Sequence, residues 1–228
     1  MNKISVIIPA HNYGEYLGEC IESVLKQSKK PDEIIVVNDS SLDNTQNIIS
    51  SLQENSDIEI KYYEVDFKHS NKTRNFGYEQ SSGDYILFLD ADNFLEPDYL
   101  AMTSQVLDED EDIAFTYANW YWVDLDSERV GKPAASVPFS YDELKGRNYI
   151  DMCSLIRRKV FDKYRFDEEQ NGYDDWDLWL TLAENGHKGK HIPLVLFNYR
   201  RHNNSKSYKV VHFNREEIVN RLHLKHNL

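Results

Sequence analysis

The sequence is poor in cysteine and in long apolar runs, and each shortage excludes a class of protein. Its 228 residues include two cysteines, Cys20 and Cys153. Two are too few for a disulfide framework, so we expect a reducing compartment. No stretch reaches the roughly 18 to 20 apolar residues of a membrane span, and the apolar run 5–9 is too short for the core of a signal peptide. We therefore expect a soluble, cytoplasmic protein.

Positive charge is scarce as well. Lys and Arg number 26 against 39 Asp and Glu, a formal net charge of −13. We expect no nucleic-acid partner, because phosphate backbones attract basic surfaces. Residues 187–228, however, hold nine basic and two acidic side chains. Such a basic tail could meet a phosphate group, the inner face of an anionic membrane or a second subunit, or it could be a solvated helix.

What the sequence does contain is an apolar content of 40%, arranged as short apolar runs that alternate with helical patterns. This alternation predicts an α/β fold with a mostly parallel sheet covered on both faces. An Asp43–Gln46 capping box predicts the start of one helix, and another is predicted from Ser70 to Gly83. The predicted strands of the first half are residues 4–8, 33–37, 58–65, 85–89 and 113–117.

The second half is less regular. Residues 131–148 read as a long loop with one helical turn, a length typical of binding loops. Strands are predicted at 152–156 and 191–199, and a helix that carries Trp176 and Trp179 stops at Gly186. Two further helices are predicted. One covers residues 159–164, before the helix with the two tryptophans, and the last one begins at Asn214.

Acidic side chains follow two of the predicted parallel strands, where ligands bind in sheets of this kind. Asp90 and Asp92 flank the small Ala91 directly after one strand, and two carboxylates suit Mg²⁺ or Mn²⁺. The triplet alone is weak evidence for a metal site, since turns that follow strands are rich in Asp. Asp39 ends another strand, where it could accept a hydrogen bond from a ligand or merely cap the next helix.

Two further clusters carry candidate chemistry. Residues 174–177 open a helix with three carboxylates, which read either as helix-end electrostatics or as the site of a general base. The helix dipole lowers the pKa of such a carboxylate and its acidic neighbours raise it, and the sequence leaves the balance open. Residues 199–207 end the last strand with basic and hydroxyl groups that could hold a diphosphate, including Ser205, Lys206 and Ser207.

Taken together, these segments resemble family-2 glycosyltransferases of the GT-A fold. The matching segments occur in the family's order and spacing at residues 5–12, 34–41, 73–77, 83–92, 172–177 and 199–207. The resemblance implies an inverting enzyme that moves a sugar from a nucleotide-diphosphate donor, a UDP-sugar being favoured, to a hydroxyl of a glycan or lipid-linked acceptor. It implies Mn²⁺ or Mg²⁺ as cofactor and a Rossmann-like sheet with an acceptor-side subregion in the second half.

The resemblance also implies roles for single residues. Asp175 would be the base, Asp39 would meet the imide edge of the nucleobase, and Asp92 and His202 would approach the metal. Nucleotide-sugar contacts are implied for Pro9, Ala10, His11, Asn12, Asp39, Arg74, Asp90, Ala91 and Asp92. Contacts with diphosphate or acceptor are implied for Asp174, Trp176, Arg201 and Ser205.

The implied organisation is a transferase domain over residues 1–207 followed by a basic helix over 208–228. Within the domain, residues 1–118 would bind the donor, and residues 119–207 would supply the acceptor site and the base. Two departures from the family pattern, Asn38 and Ser40 after the second strand, bear on which nucleobase is bound. The alternative function is a catalytically degenerate protein of the same fold that binds nucleotide sugar or scaffolds a partner.

Overall fold

The computed structural model of the chain describes residues 2–203, 205, 206, 208, 209 and 212–228. Ser207, one of the candidate diphosphate contacts, therefore lies outside the described residues. The strands are β1 (Ile4–Ala10), β2 (Glu33–Asp39), β3 (Glu59–Val65), β4 (Tyr85–Phe88), β5 (Phe94–Leu95), β6 (Ile113–Val123), β7 (Leu155–Arg157) and β8 (Lys188–Arg200). The helices are α1 (Gly14–Leu25), α2 (Thr45–Glu54), α3 (Ser70–Glu79), α4 (Tyr99–Glu109), α5 (Tyr141–Gly146), α6 (Arg158–Phe161), α7 (Asp174–Glu184) and α8 (His212–His226).

Within the described residues the strands form one eight-stranded sheet in the order β3-β2-β1-β4-β7-β6-β8-β5. Strands β1 to β4 pair in parallel, and β6 pairs in parallel with β8. Strand β7 runs antiparallel between β4 and β6, and β5 runs antiparallel beside β8. The sheet is thus mostly parallel, as predicted. The carboxyl ends of β1, β2, β4 and β8 and the start of β7 meet at one edge.

Both faces of the sheet are buried, which explains the uninterrupted apolar strands. Every residue of β2 is buried, and successive residues of β1 alternate between two apolar layers. Val6 and Ile8 pack in the layer that includes α1, α2 and α4. Ile7 packs in the opposite layer with α3, α5, α7 and α8. The prediction of helices on both faces is confirmed.

Local helix signals were less reliable than the apolar pattern. The capping box is wrong, because α2 begins at Thr45 and the Asp43 carboxylate instead accepts hydrogen bonds from the backbone N–H of Gly14 at 2.8 Å and of Thr45 at 3.1 Å. The predicted end of α3 at Gly83 is also wrong, since the helix ends at Glu79. Gly83 instead allows a close approach to β1, where a Cβ would lie 2.6 Å from the Ser5 nitrogen.

The second half departs further from prediction. The short β5 had no apolar period to reveal it, and β6 extends to Val123 rather than Tyr117. The helical turn predicted within residues 131–148 is α5. Asn214 has non-helical backbone angles, which agrees with a helix that starts there, and Ile218 and Leu222 of α8 are buried in the core. No helix in the described part of the chain is long and apolar enough to cross a membrane.

Candidate active site

A cavity of about 650 Å³ lies at the sheet edge where the carboxyl ends of the parallel strands meet. Its wall combines the ends of β1, β2 and β4 with the start of α3, the start of α7 and the segment after β8. The fold thus brings together side chains that lie far apart in the sequence. The predicted site residues in its lining are Pro9, Ala10, His11, Asn12, Asp39, Arg74, Asp90, Ala91, Asp92, Asp174, Asp175 and Ser205.

Three predicted site residues lie outside this lining. His202 is adjacent, with Nε2 3.0 Å from Asp92 Oδ2 and its ring against Tyr13. Trp176 packs in the core, where its indole N–H donates to the Leu144 carbonyl at 2.7 Å. The Arg201 guanidinium lies over the Trp122 ring, 3.9 Å from its centroid. The structure therefore does not place Trp176 and Arg201 in the cavity, and their contact with diphosphate or acceptor stays a prediction.

The Asp39 carboxylate is already saturated by the protein. Oδ1 accepts from the backbone N–H of Phe67 and Lys68, both at 2.8 Å, and Oδ2 accepts from His69 N–H at 3.0 Å and Thr73 Oγ1 at 2.8 Å. A carboxylate offers about four lone pairs, so these four bonds use all of them. Asp39 thus holds the loop between β3 and α3 against the cavity. Its contact with a nucleobase stays a prediction.

His11 and Asn12 form the end of β1 beside Asp39. The His11 Nδ1 lies 2.5 Å from the Asp39 carbonyl oxygen, and its Nε2 lies 3.1 Å from the Asn12 amide nitrogen. A carbonyl oxygen only accepts, so Nδ1 is the donor in the first of these contacts. Asn12 adopts the left-handed region at φ 58°, which Asn tolerates better than most residues. Both side chains are held at the cavity rim.

Asp90 and Asp92 each face a cation or a histidine. Asp90 Oδ1 accepts from Arg74 Nη2 at 2.8 Å, across from α3. Asp92 is buried, and burial raises its pKa, with a smaller contribution from the Asp90 charge and an opposing one from His202. Both carboxylates line the cavity.

The donor set of these residues fits a hard divalent ion only in part. In the part of the chain that the structure describes, no group of three or more His, Cys, Asp or Glu side chains is placed to hold a metal. Asp92 and His202 offer a carboxylate oxygen and an imidazole nitrogen. Mg²⁺ commonly takes one or two carboxylates and completes its shell with substrate phosphates and water. These side chains therefore suit an ion that binds together with a diphosphate, rather than a site formed by protein ligands alone.

Asp174 is the centre of a buried ion cluster. Oδ2 lies 2.5 Å from Lys206 Nζ and 3.3 Å from Arg74 Nη1, and Oδ1 accepts from Gly172 N–H at 2.8 Å. Burial alone would raise the pKa of Asp174, but the charges of Lys206 and Arg74 outweigh it and hold the pKa below its usual range. Asp174 is therefore an ionised anchor that joins α7 to α3 and to the segment after β8.

Asp175, its neighbour, is in a different state. Oδ1 accepts from the N–H of Trp176 and Oδ2 from the Asn148 side-chain amide, both at 2.8 Å. Burial raises the pKa of Asp175 to about 6, against the lowering effect of these two hydrogen bonds. The sequence alone left the direction of this pKa shift open, because it does not show how deeply Asp175 is buried. A carboxylate of this kind titrates near neutral pH, as a general base should.

Several lining residues were not among the predicted ones. Asp151 precedes β7, and burial raises its pKa well above the usual range, with Asp175 as the next contribution. Tyr13 lies beside His202, and burial together with Asp92 raises its pKa. Asp151 had no signal because it lies in an irregular segment. Tyr13 directly follows Asn12 and could have been found by extending that segment by one residue.

Residues 5–165 match the model of Glycosyl transferase family 2. The chain belongs to this family. An uncharacterized glycosyltransferase of Haemophilus influenzae is 30% identical over 189 residues, which cover 81% of this chain and 73% of that protein. The glucosyltransferase WfaP of Escherichia coli, named as acting on UDP-Glc and α-D-GlcNAc-diphosphoundecaprenol, is 29% identical over 91% of this chain and 80% of its own.

Some relatives are much longer. The glycosyltransferase GlyA of Streptococcus pneumoniae is 36% identical over 121 residues, which are 53% of this chain and 17% of that protein. Among known structures, Staphylococcus aureus TarS 1–349 in complex with UDP-GlcNAc has a TM-score of 0.74 at 19% identity, over 91% of this chain and 61% of TarS 1–349. The mannosyltransferase PcManGT of Pyrobaculum calidifontis, in complex with GDP-Man and Mn²⁺, has a TM-score of 0.73 at 17% identity. The match covers 98% of this chain and 64% of the PcManGT chain.

These comparisons confirm three predictions: the family-2 resemblance, the GT-A type of α/β fold and the assignment as a glycosyltransferase. The structural likenesses bear on the fold alone. The boundaries predicted at residues 118 and 207, and the roles assigned to single residues, stay predictions.

Proposed function

We propose that the chain transfers a sugar from a nucleoside-diphosphate donor, a UDP-sugar being favoured, to a hydroxyl of a glycan or lipid-linked acceptor. The observation that carries this proposal is the cavity that joins the Asp90–Asp92 turn to Asp175. One end offers hard oxygen ligands for a metal-bound diphosphate, and the other offers a carboxylate that titrates near pH 6. The UDP-Glc in the name of WfaP supports uridine.

The chemistry proposed is a single displacement with inversion. The acceptor oxygen attacks the anomeric carbon while the bond from that carbon to the diphosphate breaks, and the diphosphate leaves with the electron pair. Asp175 accepts the acceptor's proton on a carboxylate oxygen. This route needs one base and no enzyme nucleophile. Because ionised Asp175 is the active form, turnover should rise through about pH 6 to a plateau.

Asp92 and His202 would hold Mn²⁺ or Mg²⁺. Such an ion, when bound, offsets the charge that accumulates on the departing diphosphate. Arg74 contributes a permanent positive charge at the same end of the cavity, where it pairs with Asp90. The Mn²⁺ in the PcManGT complex supports a divalent ion.

The predicted contact of the basic C-terminal helix with a membrane or a second subunit is kept as a proposal. Part of its charge is used within the chain, since Lys225 pairs with Asp167 and Asp177 at 2.8 Å each. Arg215 on the same helix is exposed. Replacing Arg215 with glutamate should weaken binding to vesicles that contain phosphatidylglycerol, and unchanged binding would argue against a membrane contact there.

The experiment that tests the proposed function is a calorimetric titration with UDP, GDP, dTDP and CMP, each with Mn²⁺ and again with EDTA. We expect one nucleoside diphosphate to bind tightly and to lose most of its affinity in EDTA. Binding of UDP in this way would also support the favoured donor. Failure of every nucleotide to bind would contradict the proposal and would favour the alternative of a degenerate scaffold.

A further inference from the structure

The α5 helix and the segment that follows it are fixed against α7 on both sides of Asn148. The indole N–H of Trp176 donates to the Leu144 carbonyl at 2.7 Å, and the indole N–H of Trp179 donates to the Ile150 carbonyl at 2.9 Å. Both tryptophans are buried. The backbone that carries Asn148 is therefore held by two hydrogen bonds from the same helix that begins with the Asp174–Asp175 pair.

The Asn148 side chain itself is oriented by its partners. Its Nδ2 donates to Asp175 Oδ2 at 2.8 Å, and its Oδ1 accepts from the Ile150 N–H at 3.3 Å. An ionised carboxylate only accepts, so the opposite orientation of the amide would face two oxygens toward each other. With Trp176 N–H on Oδ1, each Asp175 oxygen has one fixed donor and one lone pair left.

We infer that Asn148 is a positioning residue for Asp175, which holds the carboxylate with a free lone pair toward the acceptor and favours its ionised form. The inference rests on the proposed function, in which Asp175 is the base. It gives the long loop at residues 131–148 a role, since the last residue of that loop reaches the base. It also explains Trp176, which anchors the segment from the core rather than binding a ligand.

The charged groups around Asp175 set the direction of the effect. Asp174 on the same helix raises the pKa of Asp175, Arg74 from α3 lowers it, and Asp151 from the segment before β7 is close enough for the two carboxyl groups to interact. Lys206 faces Asp174 from the segment after β8. The Asn148 amide stabilises the anion, so its removal raises the pKa and moves the acid limb of the rate profile to higher pH.

The test is the pH dependence of UDP release from UDP-glucose and UDP-N-acetylglucosamine by Asn148→Ala. Loss of one hydrogen bond to a charged group corresponds to an upward shift of the acid limb by about one pH unit. The plateau should also fall about tenfold, because the base is less well placed. Donor KM and UDP affinity should stay as in the wild type. Asn148→Asp, which keeps the size and replaces the donor with an acceptor, should shift the limb further.

Asn185→Ala is the matched control, because Asn185 lies at the other end of α7 and its amide donates to the Thr181 carbonyl. It should leave the profile unchanged. An acid limb and plateau that stay as in the wild type in both Asn148 variants would overturn the inference. Asp175→Asn in the same assay separates the two claims: if it is inactive, the proposed base stands whatever the Asn148 variants do, and if it keeps full turnover, the proposed base fails.

Discussion

The strand-end side of the site, within residues 2–118, and the helix side, within α7, α8 and the segment after β8, hold different acidic side chains by different means. On the strand-end side, Asp39 and Asp43 accept hydrogen bonds mainly from backbone N–H groups and neighbouring hydroxyls, whereas Asp90 and Asp92 face the Arg74 and His202 side chains. On the helix side, Asp174 and Asp177 face lysine, arginine and histidine side chains.

The two kinds of partner have different consequences, one for the structure of the loops and the other for charge and protonation. A backbone N–H group is part of the loop itself, so a carboxylate that accepts from several of them fixes the conformation of that loop beside the cavity. Side-chain partners can be removed one at a time, and several of them titrate. We therefore expect substitutions of the backbone-held Asp39 and Asp43 to act on folding, and those of carboxylates with side-chain partners to act on local charge, pH dependence, binding and turnover.

The largest expected effect is at Arg200, the last residue of β8, which connects this strand to the strand-end side. Its buried guanidinium donates to the Asp92 carbonyl at 3.0 Å and the Asp124 carbonyl at 2.8 Å, and it pairs with Glu19 at 2.5 Å. Arg200→Ala should lower the free energy of unfolding by about 4 kcal/mol, because it leaves these buried acceptors without a donor. Urea denaturation measures this loss. Arg201→Ala, at the exposed next position, is the control, and equal midpoints for the two variants would contradict the role of Arg200.

The second prediction sharpens the role of the backbone-held carboxylates. Asp39→Ala leaves the N–H groups of Phe67, Lys68 and His69 without their acceptor and should cost about 3 kcal/mol. The measurement is again urea denaturation, followed through a far-ultraviolet signal. Asp66→Ala, at an exposed position of the same loop, should leave the midpoint unchanged. If Asp39→Ala were as stable as that control, the account of Asp39 as a structural carboxylate would be wrong.

The third prediction tests the side-chain cluster with a double-mutant cycle. Asp174→Asn and Lys206→Met remove the partners of a close ion pair that is largely buried. We expect the free energies of unfolding of the single and double variants to give a coupling energy of about 2 kcal/mol. The pair Arg165 and Glu79, exposed and 2.8 Å apart, supplies a comparison cycle in which exposed charges should couple more weakly. If the losses in free energy of unfolding at Asp174 and Lys206 were additive, the ion cluster would not join α7 to the segment after β8 as described.

The smallest expected effect is at His226, near the end of α8. Its ring nitrogens lie 2.9 Å from Asp177 and 2.9 Å from Glu184. Burial would lower the pKa of His226, but these hydrogen bonds outweigh it and raise the pKa above 6.5. The stabilisation is therefore complete below pH 6.5 and is lost as the pH rises through the raised pKa.

His226→Gln should cost about 1 kcal/mol at pH 6, and the difference from the wild type should shrink as the pH increases. Thermal denaturation across pH 6 to 9 checks the trend. His223→Gln, on the same helix with its ring near Trp176, is the control. A cost of His226→Gln that grows with pH would contradict the sign of the shift.

The sequence predicted the strand-end side well for a physical reason. Strands buried on both faces must be apolar throughout, so β1, β2 and β4 were visible as runs, and the polar residues after them, Asp39 and Asp90 to Asp92, were visible as interruptions. What the sequence could not show is that Asp39 is saturated by a loop about 30 positions later in the chain. That information lies in the register of β2 and β3, not in any local pattern.

The helix side was predicted less well because its contacts are long-range. Asp174 and Asp175 are adjacent and chemically identical, yet Lys206 and Arg74 keep one ionised while burial raises the pKa of the other. No spacing rule distinguishes them. Asn148 and Asp151 lie in irregular segments that carry no period: Asp151 lines the cavity just before the antiparallel strand β7, and Asn148 contacts Asp175.

The most direct test of the central claim, that one side of the cavity holds the donor and the other activates the acceptor, is to measure UDP affinity and donor turnover together in Asp92→Asn and Asp175→Asn. Asp175→Asn should bind UDP in the presence of Mn²⁺ as tightly as the wild type and turn over the donor about 10² to 10⁴ times more slowly. Asp92→Asn should lose the Mn²⁺-dependent part of UDP affinity. An Asp175→Asn variant with wild-type turnover, or an Asp92→Asn variant with undiminished Mn²⁺-dependent binding, would contradict this division of roles.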